Sequence, residues 1–201
     1  DLRIEELKSD KRQLWQDEII ANLPDKEHLK ILDVGCGPGF FSVILSSLGH
    51  DVIGIDLTES MIQKADEIAD ILDYDIDFRV MNAQELDFDD EEFDVVISRN
   101  LTWTLPDIEK AYKEWYRVLK KDGVLLNFDA DYGKVSLKEE MKSLGEEHSH
   151  NMMDSSLVKE CDDIKQELEI SKRRRPMWDE KFLQEIGFES CKIDCEISGR
   201  V

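Results

Sequence analysis

The sequence predicts a doubly wound α/β fold, a mainly parallel sheet with helices on both faces. Three observations carry that expectation. Apolar runs of strand length alternate with segments of helical periodicity between residues 29 and 129. The first run, residues 29–34, is apolar enough to be buried on both sides, as central parallel strands are. It feeds directly into Gly35-Cys36-Gly37-Pro38-Gly39 and then an apolar helix.

The elements follow in order. Ile4, Leu7, Leu14, Trp15, Ile19, Ile20 and Leu23 recur at helical spacing, which predicts one or two amphipathic helices over residues 4–23. After the strand at 29–34 comes a helix at 40–48, closed by Gly49 as a left-handed cap. A second strand at 52–55 ends on Asp56, and Ser60 is placed to cap the helix carrying Met61, Ile62, Ala65 and Ile68. Residues 78–81 and 93–98 read as the third and fourth strands. The helix at 107–119 has Ile108, Ala111, Tyr112, Trp115 and Val118 on one face. Asp122-Gly123 reads as a turn into a fifth strand at 124–128. From 130 to 176 the rhythm gives way to a charged, helical pattern too long for a connection, read as a helical cap. A helix at 178–186 ends at Gly187, and residues 190–197 alternate like a sixth strand. One domain is therefore expected, with N-terminal helices at 1–28, the core at 29–129, the cap at 130–176 and a last helix and strand at 177–201.

Charge limits the partners. Asp and Glu outnumber Lys and Arg by 47 to 26, a formal net charge of -21 that repels nucleic acid and anionic membrane surfaces. No apolar run approaches the length of about 18 residues needed to cross a bilayer. Cys36, Cys161, Cys191 and Cys195 have neither the density nor the spacing of a disulfide framework, which predicts a reducing, cytoplasmic setting. His148 and His150 with those cysteines show no standard ligand spacing, so no metal is expected, and Cys191 and Cys195 read as small buried residues of the last strand. A monomer or homodimer acting on a small molecule is the expectation. The sequence opens on Asp1, which leaves any segment upstream undetermined.

The glycine-rich turn stands where a strand feeds a helix, a place where ligands approach backbone N–H groups closely. Asp56 follows at the end of the next strand, where an acidic residue bonds the two hydroxyls of an adenosine ribose. These two features alone admit both a nicotinamide dinucleotide and another adenosine cofactor. The dinucleotide fingerprint fails at its last glycine, because Phe40 occupies that position.

Ile31-Leu32-Asp33-Val34-Gly35-Cys36-Gly37-Pro38-Gly39 resembles the first motif of the class I S-adenosylmethionine-dependent methyltransferases, whose fold is Rossmann-like. Further matches follow in the family's order. Residues 52–56 resemble the ribose-binding strand, and Asn82-Ala83-Gln84-Glu85-Leu86 resembles the D-A-x-x-L adenine segment, with Asn where Asp is common. Residues 93–100 are similar to the fourth strand, and 119–126 to the L-K-P-G-G turn and fifth strand. The resemblance covers residues 29–129, and the family's final strand is not expected within 1–201. It implies S-adenosylmethionine as cofactor and S-adenosylhomocysteine as product. By position, Gly35, Cys36 and Gly37 line the methionine part, and Asp33 orients the loop or the amino group. Asp56 takes the ribose, Leu57 and Met61 flank the adenine, and Asn82, Ala83 and Gln84 meet its edge. Arg99 and Asn100 bring main-chain groups to the sulfonium end.

Methyl transfer from a sulfonium needs alignment more than a side-chain nucleophile, so no catalytic residue is assigned. On the acceptor side Trp103 reads either as an aromatic wall or as packing. Arg174 and Arg175, in the basic run before Pro176, read either as an anion-facing pair or as a solvated turn. Lys11 and Arg12 are further candidates for the cofactor's carboxylate. Two other readings stand beside the enzyme: a binding protein that keeps the pocket without turnover, and an NAD-dependent oxidoreductase.

Overall fold

The computed structural model describes residues 2–129 and 155–201, so most of the expected cap, with His148 and His150, lies outside the described residues. Five parallel strands form one sheet in the order β3-β2-β1-β4-β5. They are β1 Lys30–Val34, β2 Asp51–Asp56, β3 Asp77–Val80, β4 Phe93–Arg99 and β5 Leu119–Phe128. The helices are α1 Leu2–Leu7, α2 Asp10–Ile20, α3 Phe40–Ser47, α4 Glu59–Ile71, α5 Ile108–Val118, α6 Ser155–Glu167 and α7 Met177–Ile186.

Strand periodicity explains the two-sided core. Leu32, Val34, Ile53, Ile55 and Val96 point to one face, where Tyr112 and Trp115 of α5 meet Trp178 and Phe182 of α7. Ile31, Val52, Val95 and Ile97 point to the other, against Phe41, Ile44 and Leu45 of α3 and Ile19 of α2. At about 25 cal/mol per Å² of apolar surface, burial on both faces is the main force holding the central strands.

Three expectations are corrected. Helix α4 begins at Glu59 with Thr58 at its N-cap, so Ser60 lies inside the first turn. Asp122 and Gly123 do not precede β5 but lie within it. The ladder steps from Phe93↔Leu119 to Val95↔Val124, and this bulge absorbs the extra residues. Residues 190–197 form no strand; the segment runs irregularly into a short 3₁₀ turn at Ile197–Gly199. An alternating pattern becomes a strand only beside an edge with which to pair, and here no ladder partner is present among the described residues. Cys195 is consequently exposed and Cys191 only half-buried, contrary to the expected buried pair.

Candidate active site

The strand order sets the place of the site. From β1 the chain turns outward to β2, and from β4 it turns the opposite way to β5, so the loops leaving their carboxyl ends separate and open a crevice. A cleft of about 150 Å³ lies there, lined by Asp33, Gly35, Cys36, Gly37, Pro38, Phe40, Phe41, Arg99 and Asn100.

The glycine loop is shaped by two different demands. A Cβ at Gly35 would stand 2.8 Å from Leu101, so this glycine makes room for the loop after β4. Gly37 has φ +52, and a Cβ there would meet nothing within 4 Å. Its N–H donates to Asp56 Oδ2 at 3.0 Å, while Thr58 N–H donates to Oδ1 at 2.8 Å. Asp56 therefore ties the glycine loop to the start of α4. Each carboxylate oxygen keeps a second lone pair, so the group retains capacity for a diol.

Beyond Asp56 the rim is apolar. Leu57 is 70% exposed and Met61 43% exposed, which leaves two apolar side chains open to a ligand there. The Met81 N–H donates to the Asp56 carbonyl at 3.0 Å, which brings the 82–84 segment beside them. Asn82 Oδ1 accepts from Gln84 N–H at 3.0 Å, and Gln84 Oε1 accepts from Asp107 N–H at 2.7 Å. The Ala83 carbonyl accepts from the buried Trp115 indole at 2.9 Å. The residues expected at the adenine edge are thus held together, with Leu57 and Met61 beside them.

Asp33 lines the cleft from beneath, only 2% exposed, and accepts from Ser42 Oγ at 2.6 Å. Burial pushes its carboxyl up to about 6, with the Ser42 hydrogen bonds and the charge of Arg99 pulling in the other direction. Burial also pushes the Cys36 thiol far above its ordinary range, reinforced by the negative charges of Asp33 and Asp56. Asn100 takes φ +55, a conformation its residue type tolerates, and turns the chain out of β4.

On the acceptor side, Trp103 is half-buried, donates from its indole to the Asn100 carbonyl at 3.1 Å and lies under the Lys165 ammonium at 5.8 Å. Arg174 is exposed. Arg175 turns inward: Nε donates to Asp179 at 2.9 and 3.1 Å, and Nη2 donates to Thr102 Oγ1 at 2.7 Å. Thr102 donates in turn to Asp129, and Asp179 accepts from Tyr112 at 2.7 Å. Arg175 thus fastens the turn after β4 instead of presenting a cation outward. Lys11 and Arg12 are not among the residues that line the cleft, and Arg99 is, with its guanidinium over the rings of Trp15, Phe40 and Phe41. The signal that pointed to it was only its place at the end of a buried strand. Among the described residues no group of three His, Cys, Asp or Glu is arranged to hold a metal.

Residues 32–127 match a family model described as a methyltransferase domain. This core is a class I S-adenosylmethionine-dependent methyltransferase domain. Among similar proteins, YqeM of Bacillus subtilis is 38% identical over 120 residues, covering 56% of this chain and 46% of YqeM. The ubiquinone/menaquinone biosynthesis C-methyltransferase of Rickettsia prowazekii is 37% identical over 119 residues, covering 55% of this chain and 48% of that protein. The structure of the Bacillus halodurans protein BH2331 superimposes with a TM-score of 0.63 at 26% identity, over 88% of this chain and 68% of that one. The chain spans about half the length of the curated relatives it matches. No described helix is long and apolar enough to cross a membrane.

Proposed function

We propose that the chain transfers a methyl group from S-adenosylmethionine to a small-molecule acceptor by in-line displacement, releasing S-adenosylhomocysteine. The observation that carries this is the joint at Asp56, where one carboxylate ties an open glycine loop to an exposed apolar rim. The fit to the cofactor is chemical. The Gly37 cradle has room a side chain would fill, Asp56 suits a ribose diol, and Leu57 and Met61 offer faces for an adenine whose edge meets Asn82, Ala83 and Gln84. Gly35 and Cys36 continue the loop toward the methionine end, where Asp33 and the main chain of Arg99 and Asn100 stand.

When bound, the cofactor supplies an electrophilic methyl on a sulfonium. The chain's own residues bind, orient and exclude water, and such orientation contributes on the order of 7–11 kcal/mol. Among the described residues no side chain in the cleft is poised as a base for the acceptor: Cys36 stays protonated, and Asp33 is turned to Ser42. Trp103 and Arg174 are assigned to the acceptor side, with Arg175 holding the turn beneath them. A net charge of -21 supports a small molecule over nucleic acid, and the unpaired thiols of Cys36, Cys191 and Cys195 support the cytoplasm.

Calorimetric titration with S-adenosylmethionine, S-adenosylhomocysteine and NAD tests the pocket. Micromolar binding of the first two, weakened by Asp56→Ala, supports the reading. A folded chain that binds neither, or prefers NAD, overturns it. Binding without methyl transfer to any member of a broad acceptor panel would mark a binding protein instead.

A further inference from the structure

The chain leaving β4 passes into a single 3₁₀ turn at Thr102–Thr104, and this stretch belongs to two sets of contacts. One set is the cleft's. Asn100 lines it, Leu101 lies 2.8 Å from where a Cβ on Gly35 would stand, and the Trp103 indole donates to the Asn100 carbonyl at 3.1 Å. The other set comes from three further elements. Arg175, at the entry to α7, donates from Nη2 to Thr102 Oγ1 at 2.7 Å and from Nε to Asp179. Asp129, just past β5, accepts from Thr102 Oγ1 and from the Trp103 N–H at 3.2 Å. Lys165 of α6 stands 5.8 Å over the Trp103 ring. Arg175, Asp129 and Asp179 are not among the residues that line the cleft. Arg175 also carries a buried Nη1 with no hydrogen bond, 3.6 Å from Asp129. A side chain placed for stability alone has its buried donors satisfied.

We propose that Arg175 is a positioning residue for the cofactor cleft, acting through Thr102 on Leu101 and Asn100. The proposal rests on the S-adenosylmethionine reading and goes beyond it, because it gives a binding role to a residue outside the cleft. The Thr102 hydroxyl gives its one proton to Asp129 and takes the Arg175 bond on a lone pair, so one oxygen joins the end of β5 to the start of α7. With that oxygen in place Asn100 turns at φ +55 and Leu101 closes on the glycine loop. Without it the turn samples other courses, and affinity falls with the fraction of chains in which the turn stays seated. Asp129 and Arg175 bracket residues 130–174, so the same clamp couples the acceptor side to the cofactor side, and the coupling is reciprocal.

The test titrates S-adenosylhomocysteine into the full chain and its Thr102→Val, Thr102→Ser, Arg175→Lys and Asp94→Asn variants, each shown to be folded by circular dichroism. Thr102→Val is expected to weaken binding about 3- to 30-fold, and Thr102→Ser to restore most of it. Arg175→Lys, whose single ammonium cannot hold Thr102 and Asp179 together, should lose a similar factor. Asp94→Asn loosens the fold at the other end of β4 and should stay within about twofold of wild type. Followed by amide exchange, S-adenosylhomocysteine should slow the first turn of α7 in the wild type and not in Thr102→Val. Valine at wild-type affinity, serine without recovery, an Asp94→Asn loss as large as valine's, or an α7 turn indifferent to the ligand overturns the proposal. If Thr102→Val fails to fold, wild-type affinity in Arg175→Lys overturns it. A wild-type chain that binds no S-adenosylhomocysteine sinks the methyltransferase reading and the proposal together; one that binds it while the variants match it sinks the proposal alone.

Discussion

Replacing Asp33 with Asn removes a buried charge while keeping its shape. The carboxyl is 2% exposed and bonded to Ser42, and its burial raises its pKa from an ordinary 3.8 to about 6. Below about pH 3 the folded and unfolded chains both hold this proton, and the group costs nothing. Between pH 4 and 6 the unfolded chain gives it up while the folded one keeps it, so stability falls as pH rises. Above about pH 7 both are ionised and the full cost remains, about 3 kcal/mol from the size of that rise. Asn does not titrate. Urea unfolding of both proteins from pH 3 to 8 should therefore show the variant gaining about 3 kcal/mol on the wild type across that range. With an m-value of about 2 kcal/mol per molar urea, the difference between midpoints moves by about 1.5 M. Taking the difference at each pH cancels the titration of the other carboxylates. A difference that does not change with pH, or that moves toward the wild type at high pH, refutes the reasoning. The stabilised variant should also bind S-adenosylhomocysteine more weakly, since the buried charge is retained for binding rather than for folding.

Alkylation at pH 8 should modify exposed Cys195 and leave Cys36 untouched until denaturant is added, because burial holds the Cys36 thiol protonated; comparable labelling of both, read by mass spectrometry, would contradict this. Asp94 is buried, yet Lys120 at 2.8 Å, the Lys30 N–H at 3.0 Å and Lys26 at 3.0 Å hold its carboxyl well below the ordinary carboxylate range. Asp94→Asn should cost about 1–2 kcal/mol at pH 7, a figure kept low because the two lysine side chains are half in water, and the loss should shrink as pH falls below about 4; a loss that persists unchanged at pH 3 in urea titrations counts against it. Thr102→Val deprives Arg175 and Asp129 of a shared hydroxyl and should lower unfolding free energy by about 1–3 kcal/mol, with Thr102→Ser recovering most of it; a neutral valine variant would show that the network does not hold the turn.

Strands buried on both faces were legible because their composition leaves no other place for them, as 29–34 and 93–98 show. The alternation at 190–197 misled because a strand is a property of two chain segments, and the pattern of one says nothing of its neighbour. The bulge at Asp122-Gly123 reads as a turn for a similar reason, since its local preference is the same in both settings. At the site, Gly35, Gly37 and Asp56 were found through backbone demands that recur at fixed spacing. Arg175 turns inward to Asp179 and Thr102, and Arg99 is among the residues that line the cleft. Where an arginine side chain goes depends on what lies within its reach in space, and Phe40, Trp15 and Glu6 converge on Arg99 from distant parts of the chain. The inward turn of Arg175 follows from Asp179, one helical turn onward, a spacing visible in the sequence but equally common on solvated helices.

Asp129 and Arg175 stand at the two ends of the stretch that interrupts the strand–helix rhythm, and their side chains meet at 3.6 Å. An ion pair therefore bridges the two ends of that stretch. An excursion whose ends already touch adds little closure entropy as it lengthens, each doubling costing only about 0.6 kcal/mol. Apart from Leu168 and Ile170, which pack into the core, the stretch between should tolerate changes in length and content. In engineering terms the ion pair marks a natural splice point: grafts that retain Asp129, Thr102, Arg175 and the core residues Leu168 and Ile170 can exchange the sequence between residues 129 and 168 and leave the sheet's own machinery intact.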